Sequence, residues 1–293
     1  MTAKTLVLGA SGFLGSHFIQ KPSQETLQFR AQPEESIKNS LILDPWNFDE
    51  LERILKVNKF NSLINCIALA NIERCERDES EAFEINSELP RKLAELCRKF
   101  SVHFIHVSTD AVLADGSGLL DEDSPTIPRS IYGKSKLLGE KLVLEALPMA
   151  TIARVNFFGV SPRKNSIFDF FYDSLKREKP TMGFTDVYFS PLYVEDTVSA
   201  LRTLAADKYS GIINLASSTP ISKYEFGKKI AVHLGISPDM IIETRAKDLP
   251  LGQIRSLGLS INNQKMLHFY QPRFSIDEGI LLSIKQRERE VLD

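Results

Sequence analysis

Short apolar runs alternate with stretches of helical periodicity along the first half of the chain. Thr5–Leu8, Thr26–Arg30, Leu41–Leu43, Leu63–Cys66, His103–Val107 and Thr151–Val155 read as buried strands. Between them lie a helical pattern that Pro22 stops, a helical repeat over Phe48–Val57, a long amphipathic helix marked by Ala82, Ile85, Leu89, Leu93, Leu96 and Cys97, and a helix from about Ser130 to Ala146. This alternation predicts an α/β fold, a doubly wound parallel (Rossmann) sheet over residues 1–160. Beyond that point the pattern changes. Helices are predicted over Ile167–Lys179, closed by Pro180, over Val194–Ala205, and over Ser222–Leu234, which opens on a capping box of Ser222 and Glu225 and has Gly235 in a C-cap position. Phe184–Tyr193 is aromatic and turn-rich. Gly211–Ala216 reads as a strand that rejoins the main sheet, so a smaller C-terminal substrate lobe, residues 161–293, interleaves with the first. Pro250–Gly279 is loop-rich and holds Arg255, Lys265 and Arg273, and Lys285–Asp293 reads as a charged, solvated helix end.

Composition narrows the function classes. The chain has 293 residues, 43% hydrophobic and 25% charged, which suits a globular protein with a sizeable core. A net charge of -2 and a pI near 6.3 argue against bulk binding of nucleic acid or an anionic membrane. The N-terminus does not read as a signal peptide and no apolar run reaches membrane-spanning length. Cys66, Cys75 and Cys97 lack metal-type spacing and read as reduced thiols of a cytoplasmic protein. No metal site is read, and His103 and His106, flanking the fifth strand, read as structural.

Gly9-Ala-Ser-Gly12-Phe-Leu-Gly15 stands directly after the first strand and opens a helix. Glycines at this spacing permit a tight turn and let backbone N–H groups approach a pyrophosphate. Gly9, Ser11, Gly12, Phe13, Leu14 and Gly15 are therefore candidate dinucleotide contacts. The second strand ends at Arg30, and Glu34 and Glu35 come only later, so the acidic residue that often meets a ribose diol is missing from its usual place. Arg30 suits a 2′-phosphate, which tilts the cofactor towards NADPH over NADH; a solvated surface arginine explains it equally well. Asp44, at the end of the third strand, is a candidate for the adenine end. Cys66, Ala68 and Leu69 follow the fourth strand, where small residues let a cofactor lie against the backbone. Asn86 interrupts the apolar side of its helix, either as a contact to the cofactor region or as a satisfied buried amide.

Tyr132 and Lys136 sit four apart, on one face of the predicted helix. A phenol beside a cation is expected to have a lowered pKa and to exchange a proton with a carbonyl or alcohol near neutral pH. Spacing alone decides little, since Tyr172/Lys176 and Tyr224/Lys228 share it. Only Tyr132/Lys136 follows a hydroxyl-bearing strand end, Ser108-Thr109-Asp110, in the nucleotide-binding half. Thr109, Tyr132 and Lys136 are the candidate catalytic set, with Tyr132 and Lys136 also facing the cofactor.

Taken together, Gly9-x-x-Gly12-x-x-Gly15, Thr109-Asp110 and Tyr132-x-x-x-Lys136 resemble an extended short-chain dehydrogenase/reductase. Ile64-Asn-Cys-Ile-Ala-Leu-Ala-Asn71 and Pro128-Arg-Ser-Ile-Tyr-Gly-Lys-Ser-Lys-Leu-Leu-Gly-Glu140 are similar to the dTDP-4-dehydrorhamnose reductase group. The resemblance implies NAD(P)H-dependent reduction of a 4-keto group on a nucleotide-linked deoxysugar. Tyr132 would then give the proton, Lys136 would lower its pKa and bind the nicotinamide ribose, and Thr109 would orient the carbonyl. It also implies substrate contacts at Thr109, Asp110, Asn156, Phe158 and Tyr188. Two stretches depart from that group, Ala111-Val-Leu113 where Tyr-Val-Phe is usual, and Asn156-Phe-Phe-Gly159 after the sixth strand. An NAD-dependent nucleotide-sugar epimerase and a non-catalytic NAD(P)-binding regulatory subunit stay open. Members of the group often form homodimers, and no interface motif is legible here.

Overall fold

A computed structural model describes residues 4–19, 25–33, 36–116, 118–249 and 257–290. Six strands in chain order, β1 (Thr5–Leu8), β2 (Thr26–Phe29), β3 (Ser40–Ile42), β4 (Ser62–Asn65), β5 (His103–Thr109) and β6 (Thr151–Val155), build the central sheet. Gly211–Leu215 joins it beside β6, as expected from sequence. The spatial order is that seventh strand, then β6, β5, β4, β1, β2, β3, with every pair parallel. The order reverses between β1 and β4, the place where ligands meet the carboxyl edge of such sheets.

Both faces of the sheet are covered, so successive strand residues enter opposite cores. Leu6 and Leu8 of β1, Phe104 of β5 and Ile152 of β6 face one core with Leu51, Leu55, Leu93 and Val143. Val7, Ile105 and Ala153 face the other, with Phe168, Leu201 and Phe226. Helix Val194–Asp207 packs on that second face, against β4, β5 and β6. The remaining lobe is a set of short strand pairs: Phe157–Phe158 with Leu192–Tyr193, Thr181–Phe184 with Ile241–Thr244, and Tyr188–Phe189 between Ile221–Ser222 and Gly258–Leu259.

Three expectations change. The helix after Gly12 is regular only over Phe13–Ser16; the Pro22 stop lies outside the described residues, as do Glu34, Glu35 and Arg255. The long helix around Ala82–Cys97 is a helix over Glu79–Phe83, a π-helical turn over Glu84–Glu88 and a helix over Leu89–Lys99. The π turn brings Asn86 and Ser87 against the neighbouring helix Ile131–Ala146, where they hydrogen-bond Ser135. The C-terminal helix, Ile276–Arg289, is not simply solvated at its end. Arg287 is buried and bonds Asp169 and Asp173 at 2.6 Å each, because helix Ile167–Lys176 lies beside it.

Helix Ile131–Ala146 is tied to the sheet by a buried ion pair. Glu140 accepts from Arg154 of β6, Nη2 to Oε2 at 2.8 Å, and from Ser108 of β5, Oγ to Oε1 at 2.5 Å. Ser108 and Arg154 are register partners, so one carboxylate clamps two strands. Arg154 is 2% exposed. Arg154→Met should lower the unfolding free energy by about 3–5 kcal/mol, because it leaves a buried carboxylate without its cation. The urea midpoint checks this, and Arg154→Met with Glu140→Met should recover most of the loss.

Candidate functional site

Thr109 ends β5 and begins a 3₁₀ turn over Asp110–Val112. Its hydroxyl accepts from Ala111 N at 3.2 Å and donates to Asp110 Oδ1 at 3.1 Å. Opposite, Ser130 caps helix Ile131–Ala146 by accepting from Gly133 N at 3.1 Å, and Glu76 accepts from Ile131 N at 2.8 Å. Gly133 presses this first turn onto the 3₁₀ turn: a Cβ there would lie 2.4 Å from Ala111 O. The result sets the Tyr132 phenol near the Thr109 hydroxyl. Tyr132 is half-buried against Leu69, Cys75 and Ala82.

Lys136 is 1% exposed. Its Nζ donates to Val107 O at 2.7 Å and meets His106 Nε2 at 3.2 Å. Burial draws its pKa down to about 8, against the opposing pull of Glu140 and Cys66. Burial pushes the Tyr132 phenol up to about 12, although the nearby Thr109 hydroxyl opposes it. Lys136 is not among the groups that shift the phenol in this arrangement. The lysine is engaged by Val107 O and His106, and desolvation of the phenol prevails. Asp110 is pushed up to about 6 by burial, while Asn156, Thr109 and Lys223 pull the other way.

The glycine turn has the shape that a pyrophosphate requires. Gly9 has φ of +85°, in the left-handed region. A Cβ at Gly15 would lie 2.1 Å from Gly9 O, so the helix can start this close to β1 only with glycine there. Gln28 on β2, which sequence reasoning passed over, braces the turn: its Oε1 accepts from Gly9 N at 2.9 Å and its Nε2 donates to Leu43 O. Ser11 is exposed and Phe13 half-buried at this opening, while the Leu14 side chain belongs to the core. Arg30 and Asp44 lie side by side at the ends of β2 and β3, exposed and 4.0 Å apart. Cys66 and Ala68 follow β4 near the same edge, Ala68 exposed. Leu69 turns inward, its N–H donating to Asn86 Oδ1 at 2.9 Å and its carbonyl accepting from Asn86 Nδ2 at 3.0 Å, so Asn86 is a satisfied buried amide. These residues fit a dinucleotide lying along the carboxyl edge from Arg30 to Lys136. Among the described residues there is no cluster suited to a metal and no helix long and apolar enough to cross a membrane.

The substrate candidates separate. Asn156 donates its amide hydrogen to Asp110 and belongs to the same cluster as Thr109. Phe158 is fully buried among Tyr193 and Phe226, so it is a core residue and not a pocket wall; the half-buried Phe157 instead packs on Phe13 at 4.9 Å. Tyr188 is 45% exposed and lines a cavity of about 990 Å³ in the C-terminal lobe with Thr185, Tyr193, Ser222 and Tyr224. Thr109, Asp110, Tyr132 and Asn156 are not among that cavity's walls. The two other Tyr/Lys pairs are elsewhere: Tyr172 is buried beneath Arg287, and Lys228 lies over the Tyr224 ring.

A family model described as the RmlD substrate binding domain matches residues 3–274. A dTDP-4-dehydrorhamnose reductase of Mycobacterium tuberculosis is 27% identical over 276 residues, 89% of this chain and 86% of that protein. Among solved structures, a hypothetical dTDP-4-dehydrorhamnose reductase of Sulfolobus tokodaii superposes with a TM-score of 0.79 at 25% identity, covering 94% of this chain and 98% of that one. A dTDP-4-dehydrorhamnose reductase of Bacillus anthracis, solved in complex with NADP, shares the fold with a TM-score of 0.82 at 21% identity, covering 98% of this chain and 100% of that one.

Asp110 supplies a pH test. Its folded pKa, about 6, lies above the ordinary value of 3.8, so the folded protein binds this proton more tightly. Its contribution is fully present below about pH 4 and is lost as pH rises through about 6. Asp110→Asn should therefore gain stability relative to the parent on going from pH 4 to pH 7, by on the order of 2–3 kcal/mol. Thermal unfolding at several pH values checks this, and a pH-independent difference would contradict it.

Proposed function

The chain belongs to the RmlD substrate-binding-domain family, and from that premise we propose that it is an NAD(P)H-dependent reductase of a 4-keto group on a nucleotide-linked deoxysugar, of the dTDP-4-dehydrorhamnose reductase kind. The observation that carries this reading is the Thr109 hydroxyl at the end of β5 near the Tyr132 phenol, one helical turn from the buried Lys136, at the carboxyl edge of a dinucleotide-type sheet. The names of the M. tuberculosis and S. tokodaii relatives support the substrate class.

The Gly9–Gly15 turn and Lys136 would hold the nicotinamide nucleotide, which supplies the hydride when bound. Thr109 would turn its hydroxyl hydrogen from Asp110 to the substrate carbonyl oxygen and hold that oxygen within reach of the phenol. Tyr132 gives its proton to that oxygen as negative charge develops there. A phenol kept protonated by burial is suited to donate, and it does so most readily when positive charge is drawn close. Asp110, held by Thr109 and Asn156, fixes the hydroxyl's direction. Arg30, exposed at the end of β2, would meet a 2′-phosphate, which supports NADPH.

The test is oxidation of NADPH and NADH, followed by absorbance, with dTDP-4-keto-6-deoxysugars and a panel of other nucleotide 4-ketosugars. Oxidation with one of them is expected; none with any, despite NAD(P)H binding, would reject the reductase reading. Tyr132→Phe should reduce turnover by about 10²–10⁴-fold while leaving NADPH affinity unchanged, the loss expected of a missing general acid. Arg30→Ala should weaken NADPH roughly tenfold and leave NADH unaffected, the size of one charge-assisted contact.

A further inference from the structure

Lys136 Nζ has two partners that make unequal demands. Val107 O, at 2.7 Å, accepts one of its hydrogens. His106 Nε2, at 3.2 Å, belongs to a ring whose other nitrogen already has a donor in front of it. The assignment starts at Ile67, whose backbone N–H donates to Asn65 Oδ1 at 3.1 Å and so sets the Asn65 amide. Asn65 Nδ2 then faces His106 Nδ1 at 3.2 Å as a donor, and Nδ1 must accept. A neutral imidazole carries its single proton on the remaining nitrogen, so Nε2 is an N–H aimed at Lys136 Nζ. An ammonium offers only hydrogens, and two donors cannot satisfy each other. The contact closes when Nζ is an uncharged amine, its lone pair accepting from Nε2–H while one hydrogen goes to Val107 O. Asn65 and His106 are both 0% exposed, so bulk solvent does not reach the pair.

The charged and titratable groups facing this amine are few. Glu140, four residues along its own helix, and Cys66, after β4, favour the cation; burial opposes it and draws the pKa down to about 8. Glu140 is largely committed to Arg154 and Ser108. His106 on β5 is held well below its ordinary pKa, chiefly by burial, which keeps the ring neutral.

We infer that His106 is a positioning residue that holds Lys136 as a neutral amine through an Nε2–H to Nζ hydrogen bond, and that Lys136 takes up one proton from solvent when it leaves His106 for the ribose hydroxyls of a bound nicotinamide nucleotide. The first half is independent of the substrate; the second rests on the proposed reading of Lys136 as the residue that faces the cofactor. Sequence motifs place Lys136 but say nothing of its charge. Here a strand residue two positions before Ser108 sets it.

The experiment begins with the two-bond ¹H–¹⁵N imidazole spectrum of the whole protein without added nucleotide, at a pH above the Lys136 midpoint. A His106 ring protonated at Nε2 and bare at Nδ1 is expected; the reverse tautomer overturns the proposal without touching the reductase reading. Titration of ¹³C-labelled lysine Cε should place the Lys136 midpoint at or below about 8. His106→Gln, whose amide can still donate, should leave that midpoint near the parent value. His106→Phe, which keeps a ring against Phe104, should raise it by about one pH unit. A fall in His106→Phe would overturn the proposal, because that is the sign expected if His106 accepts from an ammonium. Calorimetry of NADP⁺ binding above the midpoint, in two buffers of different ionisation enthalpy, should show close to one proton taken up, and none taken up would overturn the second half.

Discussion

A helix that carries a lysine, a serine and a glutamate on its inner face has to lie directly against a parallel sheet, and the rest of the site depends on how that is made tolerable. Lys136, Ser135 and Glu140 are all buried in helix Ile131–Ala146. Two glycines set the distance. A Cβ at Gly133 would meet Ala111 O, and one at Gly139 would lie 2.2 Å from Asn86 O, so the helix touches backbone on both sides. At that separation each polar group reaches a partner: Glu140 finds Arg154 and Ser108, Ser135 finds Asn86, and Lys136 finds Val107 O and His106. Removing one partner would strand another, which is why such networks are costly when incomplete and restrictive when satisfied.

The same burial acts in opposite directions on the two groups that matter most. It raises the phenol of Tyr132 and lowers the amine of Lys136. Each is pushed towards its uncharged form, as desolvation requires. In the proposed reaction, proton transfer would then depend on charge arriving with ligands and on hydrogen-bond donors already in place, and less on a standing ion pair between the phenol and the lysine. Asp110 is the third member of this set. It is drawn towards neutrality by burial, yet it is held by Thr109 and Asn156 so that its oxygens orient the hydroxyl beside Tyr132.

The C-terminal half is joined to this centre by strands more than by a hinge. Gly211–Leu215 completes the sheet next to β6, and helix Val194–Asp207 covers the sheet face. Arg287 then anchors the last helix to Asp169 and Asp173. The lobe that holds Tyr188 is thus continuous with the core through Phe158, Tyr193 and Phe226, an aromatic cluster with its rings 5.2–5.6 Å apart.

By itself the sequence determined what depends on local pattern. Apolar runs marked every strand of the sheet to within a residue or two, including the late return of Gly211–Leu215, because a strand buried on both faces needs an unbroken apolar stretch. Gly9, Gly12 and Gly15 were legible from their spacing after a strand, and glycine is demanded by the positive φ at Gly9 and by the close approach to Gly9 O at Gly15. Tyr132, Lys136 and Thr109 were legible from a helical spacing and a strand end. What only the tertiary structure decided is which polar groups meet. Gln28, Asn65 and His106 lie in strands whose periodicity says they are buried and says nothing of a partner on another strand. The π turn at Asn86, the burial of Phe158 and the upward shift of Tyr132 likewise follow from neighbours distant in the chain. Hydrogen bonding and desolvation are fixed by distances of a few ångströms in space, and residues far apart in sequence leave no local pattern to announce them.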